Sequence, residues 1–121
     1  MGKIVLEANE IYKSYANGKN KLNVLKNFTI KVHQGDIITI IGESGCGKST
    51  ALNIMSTLDQ PDKGKVKIDS LDISKLNDIN LSKIRNQKIG FVFQSHYLLP
   101  EFTALENALM PAWIANQDNK K

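Results

Sequence analysis

The chain has 121 residues, room for one small domain with a modest core. Hydrophobic residues make up 41% and charged residues 23%, a globular composition rather than a disordered one. The net charge is +4, but the fifteen lysines and one arginine are spread along the chain, which argues against a nucleic-acid-binding stripe.

The one cysteine, Cys46, leaves no disulfide framework and favours a reducing compartment. The N-terminal "MGKIVLEANE" lacks the long apolar stretch of a signal peptide, and Leu6 stands where myristoylation needs Ser or Thr. No apolar run reaches the roughly 18 residues of a membrane-spanning helix. A soluble, cytoplasmic chain is the expectation.

In chain order, Lys3 to Asn9 reads as a strand with Ile4, Leu6 and Ala8 on one face. The Asn17-Gly18 pair in "YANGKN" is a turn. Phe28, Ile30 and Val32 alternate with Thr29, Lys31 and His33, a second strand with one wet face, and Gln34-Gly35 turns the chain again. These early strands are expected to form an antiparallel layer. "IITII", starting at Ile37, is continuously apolar, the pattern of a strand buried on both faces of a parallel sheet.

Beyond the glycine-rich segment, Ala51, Ile54, Met55 and Leu58 repeat with helical spacing, and "DQPDKG" from Asp59 to Gly64 is expected to end that helix. Val66 and Ile68 alternate with lysines in a short, edge-like strand. Asp78 to Asn86 reads as a helical turn with Leu81 and Ile84 facing inward. "KIGFVFQ", ending at Gln94, reads as a second buried strand. Thr103 and Glu106 have capping-box spacing at a helix start, with Leu105 and Leu109 on one face. Pro111 and the polar tail "NQDNKK" read as a frayed end.

Between the first apolar run and the first helix lies "IGESGCGKST", in which Gly42, Gly47, Lys48 and Ser49 match G-x-x-x-x-G-K-[ST]. Gly42, Gly45 and Gly47 allow backbone angles that turn successive N–H groups inward as a nest for phosphate oxygens. The following helix adds its unpaired N–H groups and positive dipole end. Lys48 brings a point charge to the β- and γ-phosphates, and the Ser49 hydroxyl is placed for Mg²⁺. An ordinary turn needs neither the lysine nor the hydroxyl. Gln94 caps the second apolar run; were the two runs parallel, it would emerge beside the loop, as a ligand for Mg²⁺ or as a surface glutamine ending a strand.

With these segments in view the chain resembles the N-terminal half of an ATP-binding cassette (ABC) transporter ATPase. "IYKSYANG" is similar to the segment carrying the adenine-stacking aromatic, "IGESGCGKST" to the Walker A loop and "IGFVFQ" to the Q-loop. "HYLLPEFTALENALMPAW" and "LDQPDKGKVKI" resemble the lipoprotein-releasing and macrolide-export subfamily. The implied fold is α/β, a P-loop NTPase with an N-terminal antiparallel β layer and an incomplete parallel core sheet. Residues 1–121 would form the N-terminal part of a single ATP-binding domain.

The resemblance implies that Tyr15 stacks on adenine, with Tyr12 close enough to confuse the assignment and a plain packing role as the alternative. It implies that Gly42, Glu43, Ser44, Gly45, Cys46, Gly47, Lys48, Ser49 and Thr50 hold the triphosphate of ATP. Ser49 and Gln94 would complete the Mg²⁺ shell. It also implies transmembrane permease subunits as partners, met near His96 and Tyr97, and a homodimer of the complete domain on the inner face of the membrane. His33 is read as structural.

The family's LSGGQ signature, its Asp-Glu pair and its switch histidine follow the Q-loop, and none occurs here. The glutamate of that pair would be the general base for water, so the chain alone is expected to hold nucleotide without an assembled hydrolytic site. A small kinase would need arginine clamps, and Arg85 is the only arginine. The chain therefore reads as a fragment with an exposed sheet edge, marginally stable by itself. Urea is expected to unfold it in a weak transition; a cooperative, strongly stable monomer would contradict that reading.

Overall fold

The computed structural model describes residues 2–117, and the chain divides into two compact units at Leu76. In the first unit, β1 (Ile4–Asn17) and β2 (Asn20–His33) form a long antiparallel hairpin closed at Asn17 and Asn20. Gly18 supplies the left-handed turn at φ +62°. β3 (Lys63–Ile68) pairs with the other side of β1, and β4 (Leu71–Asp72) with the end of β3, giving the order β2-β1-β3-β4. Every pairing is antiparallel, as expected for the early strands. β3 is not an edge strand along its whole length, because β4 covers Lys67 and Ile68.

The helix α1 (Lys48–Met55) lies between β2 and β3 in the chain. Fully buried Ile11, Ile54 and Val66, from β1, α1 and β3, anchor the core of this unit, with Ala8, Leu25, Ala51, Met55, Ile68 and Ile73 also buried. Of the expected face of the first strand, Ala8 is fully buried while Ile4 and Leu6 are half-buried.

Helix α1 ends earlier than the proline and glycine of "DQPDKG" suggest. Thr57 adopts φ +66°, and the N–H groups of Thr57 and Leu58 return to the carbonyls of Ile54 and Asn53 at 3.2 and 2.9 Å. This is a Schellman turn with threonine in the place usually taken by glycine. Leu58, expected on the buried stripe, lies past the helix and is exposed.

The second unit contains α2 (Asp78–Lys88) and α3 (Ala104–Gln117). The Asn77 side chain caps α2 by accepting from the Asn80 N–H at 2.9 Å, and Leu81 is its buried residue. The capping box at α3 is formed in both directions: Thr103 N–H donates to Glu106 Oε2 at 2.7 Å, and Glu106 N–H donates to Thr103 Oγ1 at 3.2 Å. Leu105 and Leu109, read as sharing one face of this helix, are both exposed. The helix runs through Pro111 to Gln117 instead of fraying there, and the Pro111 carbonyl accepts from Asn86 Nδ2 at 2.9 Å. The end of the tail, 118–121, lies outside the described residues.

The two apolar runs read as buried parallel strands are not strands. Ile37–Ile41 and Ile89–Phe93 carry no regular structure, and Ile37, Ile41 and Val92 are 97%, 86% and 96% exposed. A strand exists only with a hydrogen-bonded neighbour, and neither run has one among the described residues. Continuous hydrophobicity says that a segment suits cover on both sides; it does not supply the cover.

At Gly64 the chain enters β3 with φ +95°, and a Cβ there would run into the backbone carbonyls of Glu10 and Asn9. Glu10 itself sits at φ +49° in a bulge of β1. Gly64→Ala is therefore expected to cost at least about 2 kcal/mol, from left-handed strain and a backbone clash together. Urea denaturation checks this; a change below about 0.5 kcal/mol would count against the contact.

Candidate nucleotide site

The glycine-rich segment forms an open loop leading directly into α1. Gly45 and Gly47 take φ +80° and +101°, the left-handed values their residue type permits. The Cys46 N–H donates to the Glu43 carbonyl at 3.2 Å, closing a turn inside the loop, and the Ala51 N–H donates to the Gly47 carbonyl at 2.9 Å, starting the helix. No side chain caps α1, so the first-turn N–H groups have no side-chain partner there.

Three glycines have different reasons to be glycine. A Cβ on Gly47 would lie 2.9 Å from Val24 Cγ1 and 3.0 Å from the Val24 carbonyl oxygen, so the bare backbone of the loop packs against the side chain and carbonyl of Val24 on β2. A Cβ on Gly42 would collide with Cys46 Sγ. Gly45 faces open space and is needed for its angle alone. Lys48 Nζ folds over the loop and donates to the carbonyls of Gly42 and Glu43, both at 2.7 Å, with Cys46 Sγ at 3.7 Å. Ser49 is exposed in the first helical turn. An uncapped helix start, left-handed glycines and a convergent ammonium suit a chain of phosphates, with Ser49 available to a hydrated divalent cation.

Tyr15 stands beside this loop. Its hydroxyl donates to Asp59 Oδ2 at 2.7 Å, and the Thr50 side chain is near enough to act on its titration in the lowering direction. Burial, then the bond to Asp59, pushes the phenol above its ordinary value. Tyr12, the competing aromatic, instead lines a separate groove with Ser14 and Asp62. Lys13 Nζ reaches Asp59 Oδ1 at 3.1 Å and the Gln60 carbonyl at 2.7 Å, and lies 5.2 Å from the centre of the Tyr15 ring. Sequence reasoning missed Lys13, Asp59 and Asp62, because the carboxylates of "DQPD" read only as turn residues.

The remaining expected residues belong to the second unit. Gln94 and His96 are exposed in a segment without regular structure. Tyr97, at φ +47° and 72% exposed, meets the Phe93 ring edge-on at 5.0 Å. The loop before α3 is organised by Asn107, which accepts from the Leu99 N–H and donates to the Leu99, Phe102 and Thr103 carbonyls. His33 pairs with Asp36 at 3.4 Å across the turn after β2, in keeping with a structural role.

Residues 25–121 match the sequence model of the ABC transporter family. The chain belongs to that family. Within the ABC transporter family it is 50% identical over 117 residues to the lipoprotein-releasing system ATP-binding protein LolD of Cytophaga hutchinsonii, covering 97% of this chain and 52% of the relative. The LolD proteins of Geobacter metallireducens and Bacteroides thetaiotaomicron are 49% and 52% identical, with 92% and 83% of this chain and 49% and 46% of theirs covered. The chain thus spans about half the length of the curated relatives it matches. Among solved structures, the ATP-binding cassette MJ0796, determined as a dimer in a post-hydrolysis state with ADP and Pi, superimposes with a TM-score of 0.86 at 42% identity, covering 90% of this chain and 47% of that one. The fold is accordingly a partial ABC ATPase cassette: the antiparallel layer and the loop-to-helix element are formed, and no parallel pair is built among the described residues.

Partial burial pushes the Asp59 carboxyl up, but hydrogen bonds from Tyr15 and Lys13 outweigh it and hold the group below its ordinary value. Asp62 is held low by the Ser14 backbone N–H and hydroxyl, and Asp72 by the Ser74 hydroxyl. The stability these depressed groups add is complete above the unfolded aspartate value of about 3.9 and is lost as pH falls through their folded values. The thermal midpoint should therefore drop as pH is lowered from about 4 toward 2. Asp62→Asn keeps an acceptor for Ser14 but cannot titrate, and should flatten part of that drop. A midpoint unchanged across this range would contradict the assignment.

Proposed function

We propose that this chain is the nucleotide-binding portion of the ATP-binding subunit of an ABC transporter of the lipoprotein-releasing type, and that residues 1–121 are the N-terminal part of one ATP-binding domain. The observation that carries the reading is the loop from Gly42 to Thr50, which opens onto an uncapped helix start with Lys48 folded over it. Identity to LolD proteins over nearly the whole chain supports the transport class.

In this reading the loop from Gly42 to Thr50 holds the triphosphate of ATP, and Lys48 exchanges its carbonyl partners for the β- and γ-phosphates. Ser49 supplies an oxygen to Mg²⁺, which neutralises phosphate charge when bound. Tyr15 presents its ring to the adenine. The complete domain works as a homodimer against transmembrane permease subunits at the inner face of the membrane. Dimeric crystals of the related cassette MJ0796 support pairing of the complete domain. No helix among the described residues is long and apolar enough to cross a membrane.

A second reading follows from the absence of an adjacent Asp-Glu pair anywhere in the sequence: a module that binds nucleotide and does not hydrolyse it. Calorimetric titration separates these from an inert chain. Mg-ATP is expected to bind, with Lys48→Ala weakening it by at least about tenfold, and phosphate release is expected to stay at background. Equal ATP affinity in Lys48→Ala would overturn the site.

A further inference from the structure

The cluster around Asp59 lies outside the phosphate loop, yet it holds Tyr15, the aromatic ring read as the base-stacking residue. Tyr15 is 40% exposed near the turn end of the β1–β2 hairpin, where a tyrosine side chain would ordinarily sample several rotamers. Here its hydroxyl is bonded to Asp59, so the ring is tied to the residues that follow α1. Asp59 is itself fixed. Its backbone N–H returns to the Asn53 carbonyl at 3.2 Å, its Oδ1 accepts from the Gln60 N–H at 2.8 Å, and Lys13 bridges it to the Gln60 carbonyl.

Lys13 and Tyr15 are two residues apart on β1 and so share a face of the strand. The Lys13 side chain is only 13% exposed, a low value for lysine, and its ammonium stands over the Tyr15 ring at 5.2 Å. One face of the ring is thereby taken by a cation whose own position is set by Asp59. The ring keeps 40% exposure, so part of its surface stays open to a flat ligand.

We propose that Asp59 is a positioning residue for base recognition: it orients the Tyr15 ring and, through Lys13, decides which face of that ring a nucleotide base stacks on. The inference rests on the reading of Tyr15 as the base-stacking residue. A ring held in place before the ligand arrives loses less freedom on binding, so the clamp strengthens the contact to the base and leaves the contacts to phosphate unaltered. It recognises the flat face of the base and not its edge.

The test compares Mg-ATP with Mg-tripolyphosphate, which carries the phosphates without the base, by calorimetry on the full chain. Asp59→Ala and Tyr15→Phe, which removes only the hydroxyl, are each expected to weaken ATP binding by about threefold to tenfold, with tripolyphosphate affinity within about twofold of the parent. The double variant should lose little more than either single one, and Asp59→Asn, which retains an acceptor, should recover most of the affinity. The tripolyphosphate titration also reports whether each variant is folded at its phosphate loop. Equal weakening of ATP and tripolyphosphate by Asp59→Ala would show a merely structural role and overturn the proposal. Weaker ATP binding in Tyr15→Ala but not in Asp59→Ala would overturn it while leaving the base-stacking reading intact. Unchanged ATP affinity in Tyr15→Ala would remove that reading and the proposal with it.

Discussion

The contact between Gly47 and Val24 is the constraint on which the rest of the first unit depends. Backbone meets a strand at a distance that admits no side chain, so the start of α1 is set directly against β2. That placement seats Ala51 and Ile54 in the core and turns the uncapped end of the helix outward with the loop. Core packing and the candidate site are thus two results of one close approach.

The polar side of this arrangement is a network rather than a set of surface ion pairs. An isolated exposed pair contributes little, because water screens it and two long side chains must be ordered to make it. Lys13 differs in being mostly buried and in meeting Asp59, Asp62 and a backbone carbonyl together. Asp62 in turn fixes the Ser14 backbone and hydroxyl, which joins the segment after α1 to β1 at successive residues. The left-handed Thr57 makes this reach available by stopping the helix after eight residues and reversing the chain toward β1.

Much of this was legible in the sequence, and what was not has a common cause. The hairpin turn, the alternating β3, the stripe of α1 and the capping box at α3 are local patterns, set by residues within one turn or strand of each other. The phosphate loop was legible because its chemistry demands specific residue types at fixed spacing. The failures are nonlocal. "IITII" and "IGFVF" have strand composition without a partner to make them strands, and no window of sequence contains the missing neighbour. Helix α1 stops at a threonine in a conformation that threonine seldom takes, so the proline and glycine further on drew attention to the wrong position. Asp59 and Lys13 are 46 residues apart, and only the fold brings them onto one tyrosine.

The crossing of Gly64 over the Glu10 bulge has an asymmetric consequence for how this chain can change. The surface it meets on β1 consists of the carbonyls of residues 9 and 10, which every amino acid provides. Asn9 and Glu10 are exposed, so their side chains can vary without touching the junction, provided position 10 tolerates its left-handed angle. Position 64 has no such latitude. One side of the joint is written in backbone and accepts many sequences, while the other admits a single residue type, so at this crossing substitutions would be filtered at Gly64 and not at the residues of β1 it meets.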